Sequence, residues 1–444
     1  MLRRGAVCVL CGVLVGCATP GGGQQLKQAR RLMEQGQLVQ ACSALDSLVS
    51  RDDSNRQDQL ELVRTWVDCL VRSGELSRAA VRLAPMPEAV RMYGAALVQV
   101  GRDPRGMPRA LQLLRRAQTR WPDEAEIPYR AAVLLLADGQ AGAALPFLDR
   151  AGRLQDSASV AVARAHALLD LGRTREALDQ VRQVPTLRPS TRDVQRGRAL
   201  IQRIARRGRA IPPSARRPYR QALDLLRRRD LAGECVRKVE AMLLDHPRLA
   251  AAHTLLGLAH LRLGNVAEAV VALRRAETLN ALDATNPLYL AVVYQKRGQV
   301  EQSISSYQKA LSLDPFLLQA GRELGQLLLR QGRGPAAADV LERVAVLDQE
   351  SDSSQRMAGR AHMAAGALRR AERYFVHLAR SNPDDFELNL RLGQLLLRRY
   401  KEEGRVELLQ QASRHIRRAA STHPSDPEVE ELQLQLRQVE EKRF

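Results

Sequence analysis

The sequence predicts an all-α fold assembled from one repeated helical unit, and three observations predict it. Corresponding residues recur every 34 positions through the C-terminal half, as Gly264, Gly298, Gly332 and Gly366 do. Aromatic residues make up only 3% of the chain, so its core must consist of many small contacts between helices. No segment shows the alternation of apolar and polar residues that a half-buried strand requires.

The chain begins with basic Arg3 and Arg4, an apolar run from Ala6 to Val15, then Gly16 and Cys17. This order predicts an export signal over residues 1–16. The run is too short for a permanent membrane helix, which needs about 20 residues. Leu14-Val15-Gly16-Cys17 resembles the lipobox of bacterial lipoproteins. That resemblance implies that Cys17 is lipidated and becomes the new N-terminus. Several acyl chains, palmitate among them, would then hold it on a membrane at about 0.8 kcal/mol per buried methylene. Ala18 stands where an aspartate would signal inner-membrane retention, which implies an outer-membrane lipoprotein facing the periplasm. Residues 17–25, rich in Gly and Gln, read as a flexible tether.

Repetition organises the rest. A degenerate array is expected over 26–207, with Gly36 and Ala41, Gly74 and Ala79, Gly101 and Ala110, Gly139 and Ala144, and Gly172 and Ala177 as its marks. Residues 208–218 (GRAIPPSARRP) form the expected hinge, because Pro212, Pro213 and Pro218 are read as excluded from a helix. Regular units follow over 219–426. The clearest carry Leu256-Gly257, Gly264, Ala269 and Leu273; then Leu290-Ala291, Gly298, Ser303 and Tyr307; then Leu324-Gly325, Gly332, Ala337 and Leu341; then Ala358-Gly359, Gly366, Ala371 and Phe375. A fifth, Leu392-Gly393 to Pro424, holds roughly seven extra residues around 400–407. Residues 427–444 suit a solvent-facing capping helix.

These units resemble the tetratricopeptide repeat, a pair of antiparallel helices. The resemblance implies a right-handed α-solenoid of about ten or eleven hairpins. Gly257, Gly325 and Gly359 would let the first helix approach the second closely, and Ala269, Ala337 and Ala371 would do the same from the other side. Tyr307 and Phe375 would fill the space beyond, and the turn glycines would end each first helix in the left-handed conformation.

The formal charge of +20 becomes +18 once Arg3 and Arg4 leave with the signal. An exported chain meets no nucleic acid, so the basic excess points instead to anionic lipid, cell-wall polymer or an acidic protein. Twelve arginines against the single acid Asp224 crowd residues 196–229, suiting either such a docking site or a solvated linker. Cys8 and Cys11 leave with the signal. Of Cys42, Cys69 and Cys235, the first two stand on adjacent predicted helices and either pair in an oxidising compartment or serve as small buried residues.

No metal site or cofactor is expected. His246, His253 and His260 fall seven apart, but Pro247 breaks that helix and the latter two take packing positions. Ser306 to Lys309 spells Ser-x-x-Lys without companion motifs and around a core tyrosine. Hairpins consume nearly the whole mature chain, so no enzyme is predicted.

In stacked repeats the first helix of each unit lines the inner face. That face would present Arg262, Lys296, Arg322, Arg330, Arg356, Arg360 and Arg398, with Glu387 as its only acid and apolar steps at Leu261, Leu288, Val292, Leu329, Met363, Leu390 and Leu397. A basic groove with apolar steps suits an extended acidic peptide or a helix. The N-terminal equivalent (Tyr129, Val133, Leu136, Val162, His166, Leu169) is apolar and either takes a partner helix or packs within the coil. The two resemblances together, to lipoproteins and to tetratricopeptide repeats, imply an envelope scaffold similar to those that assemble pili, motility, secretion or polysaccharide-export machines. An adaptor for a peptidoglycan-acting enzyme or periplasmic protease is the alternative.

Overall fold

Leu-, Ala- and Arg-rich segments give helices of three to five turns, 10–18 residues long, with the five-residue Ala79–Leu83 as the exception among the described residues. The computed structural model describes residues 22–49, 56–208 and 210–441, so Cys17 and the first part of the tether lie outside the described residues, while residues 22–25, expected as tether, are helical. Among those described there are twenty-four α-helices and no strand. They fall into two compact units, divided between Asp156 and Ser157.

The first unit holds four hairpins: α1 (Gly22–Glu34) with α2 (Leu38–Val49), α3 (Arg56–Ser73) with the short α4 (Ala79–Leu83), α5 (Glu88–Arg102) with α6 (Met107–Arg120), and α7 (Glu126–Ala137) with α8 (Ala141–Leu154). Its core gathers Leu45, Leu60, Trp66, Leu70, Tyr93 and Leu114. The indole N–H of Trp66 donates to Asp46 at 2.7 Å, satisfying the buried carboxylate. Gly101 is not the turn its position predicted. It lies inside α5, and a 3₁₀ turn at Pro104–Gly106 makes the reversal.

The second unit begins with α9 (Ala158–Asp170) and α10 (Thr174–Gln183), a 3₁₀ turn at Val184–Leu187, and a lone helix α11 (Thr191–Gly208). Six hairpins follow: α12 (Pro213–Arg227) with α13 (Ala232–Asp245), α14 (Ala250–Leu263) with α15 (Val266–Leu279), α16 (Thr285–Lys296) with α17 (Val300–Leu313), α18 (Leu318–Arg330) with α19 (Gly334–Leu347), α20 (Asp352–Ala364) with α21 (Leu368–Ser381), and α22 (Phe386–Glu403) with α23 (Val406–Thr422). The capping helix α24 (Pro427–Glu441) packs on α22 and α23.

The expected spacing physics holds in these hairpins. Gly264, Gly298, Gly332 and Gly366 all have φ between 67° and 81°, the left-handed conformation that ends each first helix. A Cβ at Gly257 would lie 2.6 Å from the Leu273 side chain, and one at Gly359 2.7 Å from the Phe375 ring. The extra residues of the last hairpin lengthen α22 to eighteen residues, closed by left-handed Gly404.

The hinge differs from expectation. Pro213 takes the first helical position of α12, where its missing N–H is no loss, and Pro218 lies inside that helix. The carbonyl freed by Pro218 is that of exposed Ser214, which can turn to water. Described non-helical backbone is therefore confined to 210–212. Across it the chain folds back, so that α10 and the 3₁₀ turn lie against α17 and α19. The Arg182 guanidinium donates to the carbonyl of Ser312, 130 residues away. Phe316, at the α17–α18 junction, packs on Gly197 of α11 so tightly that a Cβ there would enter the ring.

Candidate binding face of the repeats

First helices touch in places, α12 with α14, α14 with α16 and α18 with α20, and α22 touches the capping helix α24. Because the hairpins are in register, residues 34 apart occupy equivalent places. Arg262, Lys296, Arg330 and Arg398 are four such residues, each in the last turn of its helix or, for Arg398, near it; Ala364 is the missing rung. All four are exposed. Lys296 and Arg330 have no ion-pair partner among the described residues, and Arg398 meets only exposed Glu402 at 3.5 Å. Arg262 reaches back to the carbonyl of Leu226, at the end of the preceding first helix. Cations at helix C-termini also complement the helix dipole, so the ladder is stable without a ligand.

Arg322 and Arg356 do something different from what the sequence suggested. Both are half-buried and committed to neighbouring repeats. Arg322 bonds Asp348 and, at 3.1 Å, the hydroxyl of Ser354. Arg356 forms a two-pronged bridge to Asp385 at 2.9 and 2.7 Å. The hydrogen bonds of Arg356 hold the Asp385 carboxyl below its usual range, together with the backbone N–H of Leu388 that it caps. Arg360 is exposed and stands 3.7 Å from Glu387. Glu387 is thus not the only acid near this face, for Asp348 and Asp385 serve it as internal counterions.

Of the apolar steps, Leu261, Leu288, Val292, Leu329 and Met363 remain partly exposed. Leu390 and Leu397 are buried in the core of the last hairpins. In the N-terminal equivalent, Tyr129, Val162 and Leu169 are buried, while Val133, Leu136 and His166 remain partly exposed.

Elsewhere the predicted residues take structural places. Cys42 and Cys69 are joined in a disulfide with Cα atoms 5.8 Å apart, tying α2 to α3, while Cys235 is free and buried. The three histidines do not converge: His246 meets Ser214, His253 the carbonyl of Pro247, and His260 Asn265. Among the described residues no cluster of three or more His, Cys, Asp or Glu could hold a metal ion. Of the arginine cluster, Arg203 pairs with Asp170 at 2.6 Å and Arg227 with Asp224 at 3.1 Å.

The sequence reading missed one buried polar network in the first unit. Glu126 accepts from Tyr93 at 2.8 Å and from Arg130 at 2.9 Å, with Arg64 at 3.3 Å. Burial pushes the Tyr93 phenol well above its ordinary range, so it stays a donor. Burial also pushes Glu126 upward, but Arg130 and Arg64 outweigh that and hold it ionised.

A sequence-family model described as Tetratricopeptide repeat matches residues 219–287, 289–352 and 356–427, two hairpins in each stretch. Residues 219–427 of the chain carry tetratricopeptide repeats. The tetratricopeptide protein YrrB, whose structure is described as having an unusual peptide-binding site, is 15% identical over 44% of this chain and 97% of its own, with a TM-score of 0.38. The tetratricopeptide domain of P58(IPK) is 19% identical over 80% of this chain and 99% of its own, at 0.25. PilF of Pseudomonas aeruginosa is 26% identical over 44% and 85%, at 0.31. No curated protein matches the chain. A tetratricopeptide array is a protein-interaction scaffold of a non-catalytic type.

Proposed function

We propose that this chain is a lipid-anchored scaffold of the bacterial envelope, which recruits an acidic segment of a partner protein onto the first-helix face of residues 219–427. The observation that carries the reading is the ladder of exposed Lys296, Arg330 and Arg398, repeating with the hairpins and flanked by the partly exposed Leu288, Val292, Leu329 and Met363. Guanidinium and ammonium groups at a fixed repeat suit carboxylates spaced along an extended chain or helix, while the apolar steps bury its side chains. Anchoring rests on the lipobox-like Leu14 to Cys17 and the tether that follows it.

Arg322 and Arg356 are excluded from this role because their charge is spent within the protein. The test is therefore a K296E/R330E/R398E variant, compared with wild type in pull-downs from an envelope extract. Loss of the captured partners, with circular dichroism unchanged, is the expected result. Unchanged partners would sink the groove. Retention on purified peptidoglycan at physiological salt would favour the cell-wall adaptor instead.

A further inference from the structure

A cavity of about 610 Å³ opens between the folded-back turn and the second helices α19 and α21. It brings Arg188 beside Arg370, Arg373, Arg380 and Tyr374, residues separated in sequence by more than one repeat's length. Guanidiniums gathered in this way repel one another unless carboxylates answer them. Two carboxylates do line the cavity, and both are already engaged. Glu342 lies 3.8 Å from Arg370, and Glu372 is held by Arg399 on α22. Arg188, Arg373 and Arg380 have no ion-pair partner among the described residues.

The backbone supplies an independent observation. Arg188 is the one described non-glycine residue with positive φ, at 49°, directly after the 3₁₀ turn. Glycine would take that conformation without strain. An arginine in its place keeps a cation at the cleft's rim, and such outliers gather where a ligand is clamped.

We propose that this cleft binds a small polyanion carrying at least two phosphate or carboxylate groups. Its volume falls within the range of small-ligand sites, about 300–1,000 Å³, and is larger than one oxyanion fills. The planar forks of Arg188, Arg373 and Arg380 match phosphate and carboxylate oxygens. The Tyr374 phenol, half-buried and kept protonated by its burial, adds a neutral donor. Because the ligand would touch both the turn and α21, its binding also fastens the folded-back helices to the array.

Calorimetric titration of the full-length chain in mild detergent tests this, with inorganic pyrophosphate and citrate as probes at matched ionic strength. Saturable one-to-one binding is expected, weakened at least tenfold in an R373E/R380E variant. R188G removes a cation while relieving the backbone, so it should weaken binding at least threefold with no fall in melting temperature. R330E/R398E, neither of which lines the cavity, should bind within twofold of wild type. Binding of pyrophosphate alone assigns phosphate-bearing ligands, and binding of both admits polycarboxylates. Saturable binding of neither probe, or an equal loss in R330E/R398E, overturns the proposal.

Discussion

Asp385 concentrates two roles in one carboxylate. It caps α22 through the Leu388 N–H at 2.9 Å and answers both prongs of Arg356. Asp385→Asn keeps a good cap but removes the charge, and should loosen the start of α22 by about 1–2 kcal/mol. Amide exchange at Leu388 reads this locally as a roughly 5- to 30-fold acceleration. The pH dependence follows from the lowered carboxyl: its stabilisation is full above the ordinary carboxylate range and is lost as pH falls through the folded-state value. Wild type and variant should therefore differ at pH 7 and converge in acid. A difference that persists undiminished at pH 2 would assign the effect to packing instead. His362 behaves in the same direction for another reason. Burial lowers its affinity for a proton, with Glu342 3.5 Å away offsetting part of this. Its contribution is present above the ordinary histidine range and lost as pH falls below it. The Cys42–Cys69 bond closes a loop across 27 positions, and the chain-entropy relation gives it about 3.5 kcal/mol. Reduction should lower the melting temperature of the first unit and leave the repeats at 219–427 untouched. A C42A/C69A protein that melts like wild type would show that the bond contributes nothing.

Between helices, the controlling contacts are those in which glycine admits a large partner. An alanine at Gly325 would drive its Cβ into the Leu341 side chain, as both helices are fixed by their own turns. Gly325→Ala should cost about 1–3 kcal/mol. Added to Leu341→Ala it should cost far less, a coupling that a double-mutant cycle measures. Additive losses would mean that the two positions do not meet. This packing was legible in advance because a 34-residue period repeats the same geometry: glycine in the first helix, a large residue in the second, and a left-handed turn between them. The Arg322 and Arg356 bridges were not, because their acids lie 26 and 29 positions on, outside the period. An arginine on a predicted face gives no sign of whether it looks outward or at the next repeat's capping aspartate. The fold-back was also hidden, since Phe316 and Gly197 look like ordinary junction and helix residues until they meet. Gly197→Val tests that contact: α11 should lose its exchange protection, and proteolysis between α11 and α12 should quicken at least tenfold. Residues 219–427 should stay protected, and equal loss there would make the fold-back part of the array's own stability.

At the scale of the whole chain, the proposed scaffold separates place from recognition. Cys17 would fix where the protein is held, and the ladder on residues 219–427 would decide what it holds. The two should therefore fail independently. Cys17→Ala should abolish sedimentation with membranes while leaving unfolding and partner affinity in vitro unchanged. The K296E/R330E/R398E variant should remain with the membrane but lose its partner. The basic excess, +20 over the full sequence, adds a further constraint. Exposed charges are screened over about 10 Å at 0.1 M salt and about 3 Å at 1 M. Ladder-driven capture should thus weaken steeply between those concentrations, whereas acyl anchoring should not, because burying methylenes does not depend on ionic strength. A salt wash of membranes discriminates the two directly. If Cys17→Ala protein still sediments at 0.1 M salt and is released at 1 M, the arginines hold it to anionic lipid or to a partner. The lipid would then be dispensable for localisation, and the lipobox-like Leu14 to Cys17 would lose the role proposed for it.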